Sequence, residues 1–217
     1  MVEGTDARPR LRGVLHQAGA ALALIAGIAL VAWAPSARAA WACALFAGSL
    51  TAQMTVSAVY HRILWSPIAY ARMRRADHAA IFVLIAGSAS PFALLSMPAD
   101  LGDELLLLFW GGAAVGIAVT MWWTARPRWL IAVLCVVLGW AGAPIWLDKR
   151  SELDRETVML LVSTGIIYSV GALCYALKRP RLWRATFSYH ELFHAFTLVA
   201  AVVNFCAVAR VAARAVP

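Results

Sequence analysis

Apolar residues along this chain do not alternate with polar ones; they come in runs. Seven stretches, approximately 14–34, 41–60, 78–97, 105–124, 129–147, 157–177 and 188–209, are rich in Ala, Val, Ile, Leu and Phe, with polar residues gathered in short intervals between them. At about 1.5 Å per helical residue, each run is long enough to cross a hydrocarbon layer roughly 30 Å thick. Backbone amides have no water to bond inside that layer, so only helices and closed barrels span it. No run shows the period of two expected of barrel strands. The pattern therefore predicts an all-α polytopic membrane protein of seven transmembrane helices. The intervals leave almost no room for a separate soluble domain, so residues 1–217 read as a single seven-helix transmembrane domain with a short basic tail over 1–13. Short connections make consecutive helices antiparallel neighbours in an up-down bundle. No internal repeat, low-complexity tract or long linker is visible.

Composition agrees: 63% of the residues are hydrophobic and 14% charged, whereas a soluble domain is about half apolar. Charge adds an orientation, because Lys and Arg are retained on the cytoplasmic side. Thirteen of the 19 lie at the N-terminus (Arg8, Arg10, Arg12) and in the second (Arg62, Arg72, Arg74, Arg75), fourth (Arg126, Arg128) and sixth (Lys178, Arg179, Arg181, Arg184) intervals. The other six are Arg38, Lys149, Arg150, Arg155, Arg210 and Arg214. The expected topology has the N-terminus in the cytoplasm and the C-terminus outside. The same distribution argues against nucleic acid as the partner of the +8 net charge. The basic residues are interleaved with Trp65, Tyr70, Trp122, Trp123, Trp129 and Trp183, as an interfacial aromatic belt requires, so membrane lipids with anionic headgroups are the expected partners.

Several features read as structural. Arg8 to Arg12, an apolar run and Ala37-Arg38-Ala39 imitate a secretory signal, but a run of about 20 residues exceeds the usual signal core of about 7–15. An uncleaved first helix is expected. Cys43, Cys135, Cys174 and Cys206 fall singly within runs, without the paired spacing of a thiolate zinc site or a disulfide framework. Gly112 and Gly116 read as a close helix contact. Pro91 is expected to kink the third helix, either opening a cavity or serving only as a packing bend.

Ionisable side chains inside spans are costly and so carry most of the information. His190 and His194, in "HELFH", are one helical turn apart and about 40° apart around the axis, so both can face one ligand. Ser57 and His61 repeat that spacing at the end of the second span, and Asp77 with His78 opens the third. All lie on the side expected to be cytoplasmic. Imidazoles brought to one depth by several helices suit zinc above other ions. His61, His190 and His194 would leave one tetrahedral position for water, the arrangement of catalytic zinc, which lowers the pKa of that water to about 7. Asp77 could orient the water or act as general base, and Ser57 could steady the developing oxyanion or the water. Competing readings are an ion pair of Asp77 with Arg74 or Arg75, and a back-bond from Ser57 to its own helix. His78 points about 100° away from Asp77. Glu191 is either a base or a favourable charge at a helix start, and His16 has an interfacial reading alone.

"HELFH" also spells the H-E-x-x-H of soluble metalloproteases. The extended Met-turn form fails, because Thr197 stands in place of Gly and Ala200 in place of the third His. No Asp or Glu follows Glu191 to serve as a downstream carboxylate ligand, so a third ligand must come from upstream, where His61 is the best placed.

"PRLRGVLHQ", "SAVYHR", "DHAAIFVLIAGSASPFALL", "GGAAVGI", "YSVGALCYALKRP" and "YHELFHAFTLVAA" together resemble the successive motifs of the bacterial hemolysin III proteins. These are the prokaryotic branch of the progestin and adipoQ receptor family, which includes the adiponectin receptors. The resemblance implies seven transmembrane helices with an intracellular N-terminus, in a bacterial inner (plasma) membrane. It also implies zinc held by His61, His190 and His194, with Asp77 contacting metal-bound water and Ser57 nearby. A more distant likeness to alkaline ceramidases implies hydrolysis of a lipid amide. Eukaryotic members carry a long cytoplasmic N-terminal domain where this chain has about 13 residues before its first span, so hormone signalling through such a domain is not expected. The bacterial branch is associated with membrane homeostasis and, by its older name, with lysis of red cells.

Three functions are therefore in play. The first is a zinc-dependent hydrolase of lipid amide or ester bonds acting in membrane homeostasis. The second is a non-enzymatic homeostasis sensor with structural zinc. The third is a pore-forming cytolysin, against which no span shows a polar stripe.

Overall fold

The structure is a computed structural model that describes residues 9–123, 128–148, 150–180, 182–183 and 185–215. Its helices are α1 (Val14–Trp33), α2 (Ala37–Arg62), α3 (Pro67–Leu95), α4 (Ala99–Trp122), α5 (Arg128–Trp140), α6 (Ala143–Trp146), α7 (Arg155–Leu177) and α8 (Tyr189–Arg214). No strand occurs among the described residues. Short polar signals start several helices. The side chains of Ser36, Ser66 and Asp154 accept from the amides of Ala39, Ala69 and Thr157, each taking up an amide that a first helical turn leaves without a partner. Pro67 follows Ser66 at the first helical position, where its missing N–H costs nothing.

Seven segments are long and apolar enough to cross a membrane, with α5 and α6 sharing the fifth, Trp129–Trp146. The chain is a multi-pass membrane protein. The helices outrun the apolar stretches that announce them, because charged residues beyond the hydrocarbon layer remain helical. Asp77 and His78 accordingly do not open the third helix; α3 starts ten residues before Asp77, at Pro67. Arg72, Arg74 and Arg75 lie within it, not in a loop. α8 likewise runs on to Arg214. The expected single fifth helix is broken at Ala141–Gly142, ahead of Pro144 in α6. Of the basic residues in the loop count, Arg8, Arg126, Lys149, Arg181, Arg184 and the side chain of Arg128 lie outside the described residues.

Consecutive helices pack side by side, and α8 also touches α1, α2 and α3. α2, α3 and α8 are the most buried spans, whereas α1 turns Leu22, Ile25 and Ile28 outward. Phe46, Met54, Phe82, Phe92, Leu105 and Phe109 fill the interior. Small residues set the approach of neighbours: a Cβ on Gly27 would come within 2.7 Å of the Cβ of Ala47. Side chains on Gly112 and Gly116 would collide with Leu138 of α5 and Phe82 of α3, so each glycine permits a close approach, but to a different neighbour. α3 continues through the buried Pro91 to Leu95. Contrary to the expectation of no polar stripe, α2 carries Ser49, Gln53 and Ser57 buried at four-residue intervals that lead to His61.

At the end away from the N-terminus, Asp154 ties α7 to α8. It accepts from Arg210 at 2.8 Å and Arg214 at 2.9 Å, and Arg210 also meets Glu156 at 2.5 Å. A cavity of about 60 Å³ adjoins this network, lined in part by Ser96, Asp154 and Thr157. Arg150 bridges Asp100 at 2.6 Å at the same end.

Candidate metal centre

The last turn of α2 and the first two turns of α8 meet at the N-terminal end of the bundle. His61, His190 and His194 each offer a ligand atom there, all within 4.8 Å of one another. Nε2 of His61 and Nε2 of His190 are 3.2 Å apart. The ring centroids are separated by 4.6 Å for His61 and His190, 5.1 Å for His61 and His194, and 4.6 Å for His190 and His194. His194 is buried and the other two half-buried. The four-residue spacing of the α8 pair puts both rings on one helix face, and α2 ends where that face begins. Three convergent imidazoles in a helical layer form a group able to bind a metal ion.

Asp77 and Ser57 lie one turn deeper. Both are buried, and the Ser57 hydroxyl is directed at the Asp77 carboxylate as its hydrogen-bond donor. Asp77 Oδ1 is buried without a hydrogen-bond partner among the described residues. His78 is half-buried and outside the three-histidine group.

Glu191 is structural. Its Oε2 accepts from the Ser188 amide at 2.8 Å, which caps α8, and its Oε1 accepts from Arg12 Nε at 2.6 Å. Both oxygens are thus engaged, and 1% of its surface is exposed. Arg12 belongs to a segment that crosses this end of the bundle. The amides of Arg10 and Leu11 donate to the carbonyls of Ala185 and Thr186. Gly13 adopts φ +79°, and a Cβ there would lie 2.8 Å from the Cβ of His61.

His16 overturns the interfacial reading. It is 1% exposed, its ring stacks on that of His194 at 3.8 Å and 3°, and its Nε2 is 2.8 Å from Thr197 Oγ1. The signal was present in the sequence: His16 begins a span at the same end as His61, His190 and His194, the depth argument that singled out the others. The four cysteines are free thiols, as their spacing suggests.

A family profile described as Haemolysin-III related matches residues 5–205. The "Hemolysin-3 homolog" of Bacillus subtilis (strain 168) is 33% identical over 131 residues, 60% of this chain and 59% of the relative. "Hemolysin-3" of Bacillus cereus is 31% identical over 131 residues, 60% of this chain and 57% of the relative. The chain thus spans less than two thirds of the length of these curated relatives. No solved structure matches it. The profile match runs from before the Arg12 segment through α8 as far as Phe205 and takes in every residue of the centre; the chain belongs to the haemolysin-III related family.

Proposed function

We propose that this protein is a zinc-dependent hydrolase that acts on an amide or ester carbonyl of a membrane lipid. The observation that carries the reading is the convergence of three imidazoles beside a buried carboxylate with an unused oxygen. The 3.2 Å between Nε2 of His61 and Nε2 of His190 fits a tetrahedral edge of about 3.3 Å, the value for two Zn–N bonds of about 2.0–2.1 Å. Three neutral imidazole nitrogens are a donor set that would suit catalytic rather than structural zinc. When bound, zinc supplies Lewis acidity and brings the pKa of water to about 7. Asp77 Oδ1 would take a proton from the water that attacks the carbonyl and return it to the amine or alkoxide that leaves as the C–N or C–O bond breaks. Ser57 holds the other carboxylate oxygen and so fixes the direction in which Oδ1 points. A lipid substrate is favoured because the centre lies among membrane-spanning helices.

The orientation that accompanies this reading places the centre at the cytoplasmic face of a bacterial plasma membrane, with anionic headgroups around it. Arg10, Arg12, Arg62, Arg72, Arg74, Arg75, Lys178 and Arg179 support it, all lying at the end of the bundle that holds the centre. A role in membrane homeostasis is consistent with such an enzyme. A second reading rests on a separate observation: α2 and α8 touch only sparsely, so a metal bridging His61 to His190 and His194 would tie them together without turnover.

Metal analysis of the purified protein, wild type against His61→Ala, tests the centre. About one zinc per chain, lost in the variant, supports it; zinc retained by His61→Ala removes it. Fatty-acid release from a broad lipid panel then separates the two readings. Release by wild type but not by Asp77→Ala or His194→Ala supports the hydrolase. Equal release by all three, with zinc bound to wild type and a lower melting temperature on its removal, leaves the structural clamp.

A further inference from the structure

We propose that His16 is a positioning residue of the centre, setting the ring of His194 from the side of α1. The inference rests on the reading that His61, His190 and His194 hold a metal. A histidine side chain turns about a broad, roughly two-fold final torsion, so a metal-ligating ring needs an external determinant of its plane. For His194 that determinant is a second imidazole lying parallel to it, 3.8 Å away and tilted by 3°.

The supporting ring is itself held. Thr197 donates its hydroxyl proton to the His194 carbonyl at 2.8 Å, so towards His16 Nε2, also at 2.8 Å, it can only accept. His16 therefore carries its proton on Nε2. Its Nδ1 is buried without a hydrogen-bond partner among the described residues, a costly condition that an apolar ring would avoid. What an apolar ring lacks is the donor to Thr197, one turn beyond His194 on α8. One side chain thus fixes both the plane of the ligand ring and the turn of helix that carries it. The pairing of Arg12 with Glu191 holds the start of α1 in register with the start of α8. His16 is not a ligand: it lies outside the three-histidine group, and its protonated nitrogen is engaged by Thr197.

The test is zinc affinity of the purified full-length chain in detergent, measured by competition with a chromogenic chelator, alongside melting of the metal-free protein. His16→Ala is expected to weaken zinc about 10- to 100-fold. His16→Phe keeps a flat ring against His194 and recovers part of that loss. Thr197→Val falls to the level of His16→Phe, and combining the two adds nothing, because both remove the same hydrogen bond. Zinc affinity of His16→Ala within about twofold of wild type overturns the proposal. So does a loss that His16→Phe leaves unrelieved and that metal-free melting matches, which would make His16 packing alone. If His16→Ala does not fold, His16→Phe and Thr197→Val decide, and wild-type affinity in both overturns it. A wild-type chain that takes up no zinc defeats the metal reading itself, an outcome distinct from unaltered affinity in the variants.

Discussion

Gly13→Ala should damage both the fold and the centre, for separable reasons. Gly13 sits in the left-handed region at φ +79° and ψ −9° just before α1, where an L residue pays about 1–2 kcal/mol. The added Cβ would lie 2.8 Å from His61 Cβ, and 3.2 and 3.3 Å from Arg62 Cγ and Cδ. Carbon atoms settle at about 3.5–4.0 Å, so roughly 0.7 Å must be found. The Arg62 side chain is flexible and can yield. His61 Cβ is fixed to the α2 backbone and yields only if the end of α2 shifts. Metal centres tolerate about 0.2 Å in ligand distance, so a shift of that size is felt at the ligand.

Gly13→Asn separates the two effects, since Asn tolerates the left-handed conformation but carries the same Cβ. The expected result is a stability loss of about 1–2 kcal/mol for Gly13→Ala, less for Gly13→Asn, and weakened zinc binding in both. Thermal unfolding of the metal-free protein and chelator competition measure the two quantities. Wild-type zinc affinity in both variants would refute the argument that Gly13 seats His61.

Asp154→Ala should lose the α7 cap, about 1 kcal/mol by thermal unfolding, while Asp154→Asn keeps most of it; equal losses would show that the cap is not the source. The Thr157 hydroxyl, and after it Arg210 and Arg214, hold the Asp154 carboxyl below the usual carboxylate range. A depressed folded value gives stability that is present above the unfolded pKa of about 3.9 and lost as pH falls through the folded value. Melting of the wild type should owe no loss to this group between neutrality and about pH 4, and Asp154→Asn should remove the loss below that; an acid transition unchanged in the variant refutes the linkage. Glu191→Gln should retain zinc and lose about 1–3 kcal/mol from the charged hydrogen bond with Arg12; loss of zinc with an unaltered melting temperature would restore Glu191 to the chemistry. Reporter fusions in the α2–α3 connection should report the cytoplasm, and fusions ahead of α7 the outside. The reverse pattern overturns the orientation.

Hydropathy made the number of spans legible because hydrocarbon thickness sets a minimum apolar length. Helix ends were less legible, since nothing in hydropathy marks where helix continues into the interface. Ser66 with Pro67 was a readable start for α3, and Gly142 with Pro144 a readable break between α5 and α6. His61, His190 and His194 were legible through four-residue spacing and common depth. The partnership of His16 with Thr197 was not, because it joins positions 181 residues apart and neither residue repeats on its own helix in a pattern that points to the other.

The fate of Glu191 shows why a motif needs its place on a helix as well as its spacing. H-E-x-x-H guarantees that the two histidines share a face, which holds anywhere along a helix. It says nothing about what the glutamate meets. Here the motif begins at the second residue of α8, where the first-turn amides lack intrahelical acceptors and the surrounding membrane supplies little water to replace them. A carboxylate three residues past Ser188 is the nearest acceptor, and it is consumed by that amide and by Arg12. The same glutamate several turns further along would face none of these demands. The only other described carboxylate at this end of the bundle is Asp77 on α3, whose Oδ1 remains unengaged, which is why the proposed hydrolase takes its proton acceptor from α3 and not from the motif.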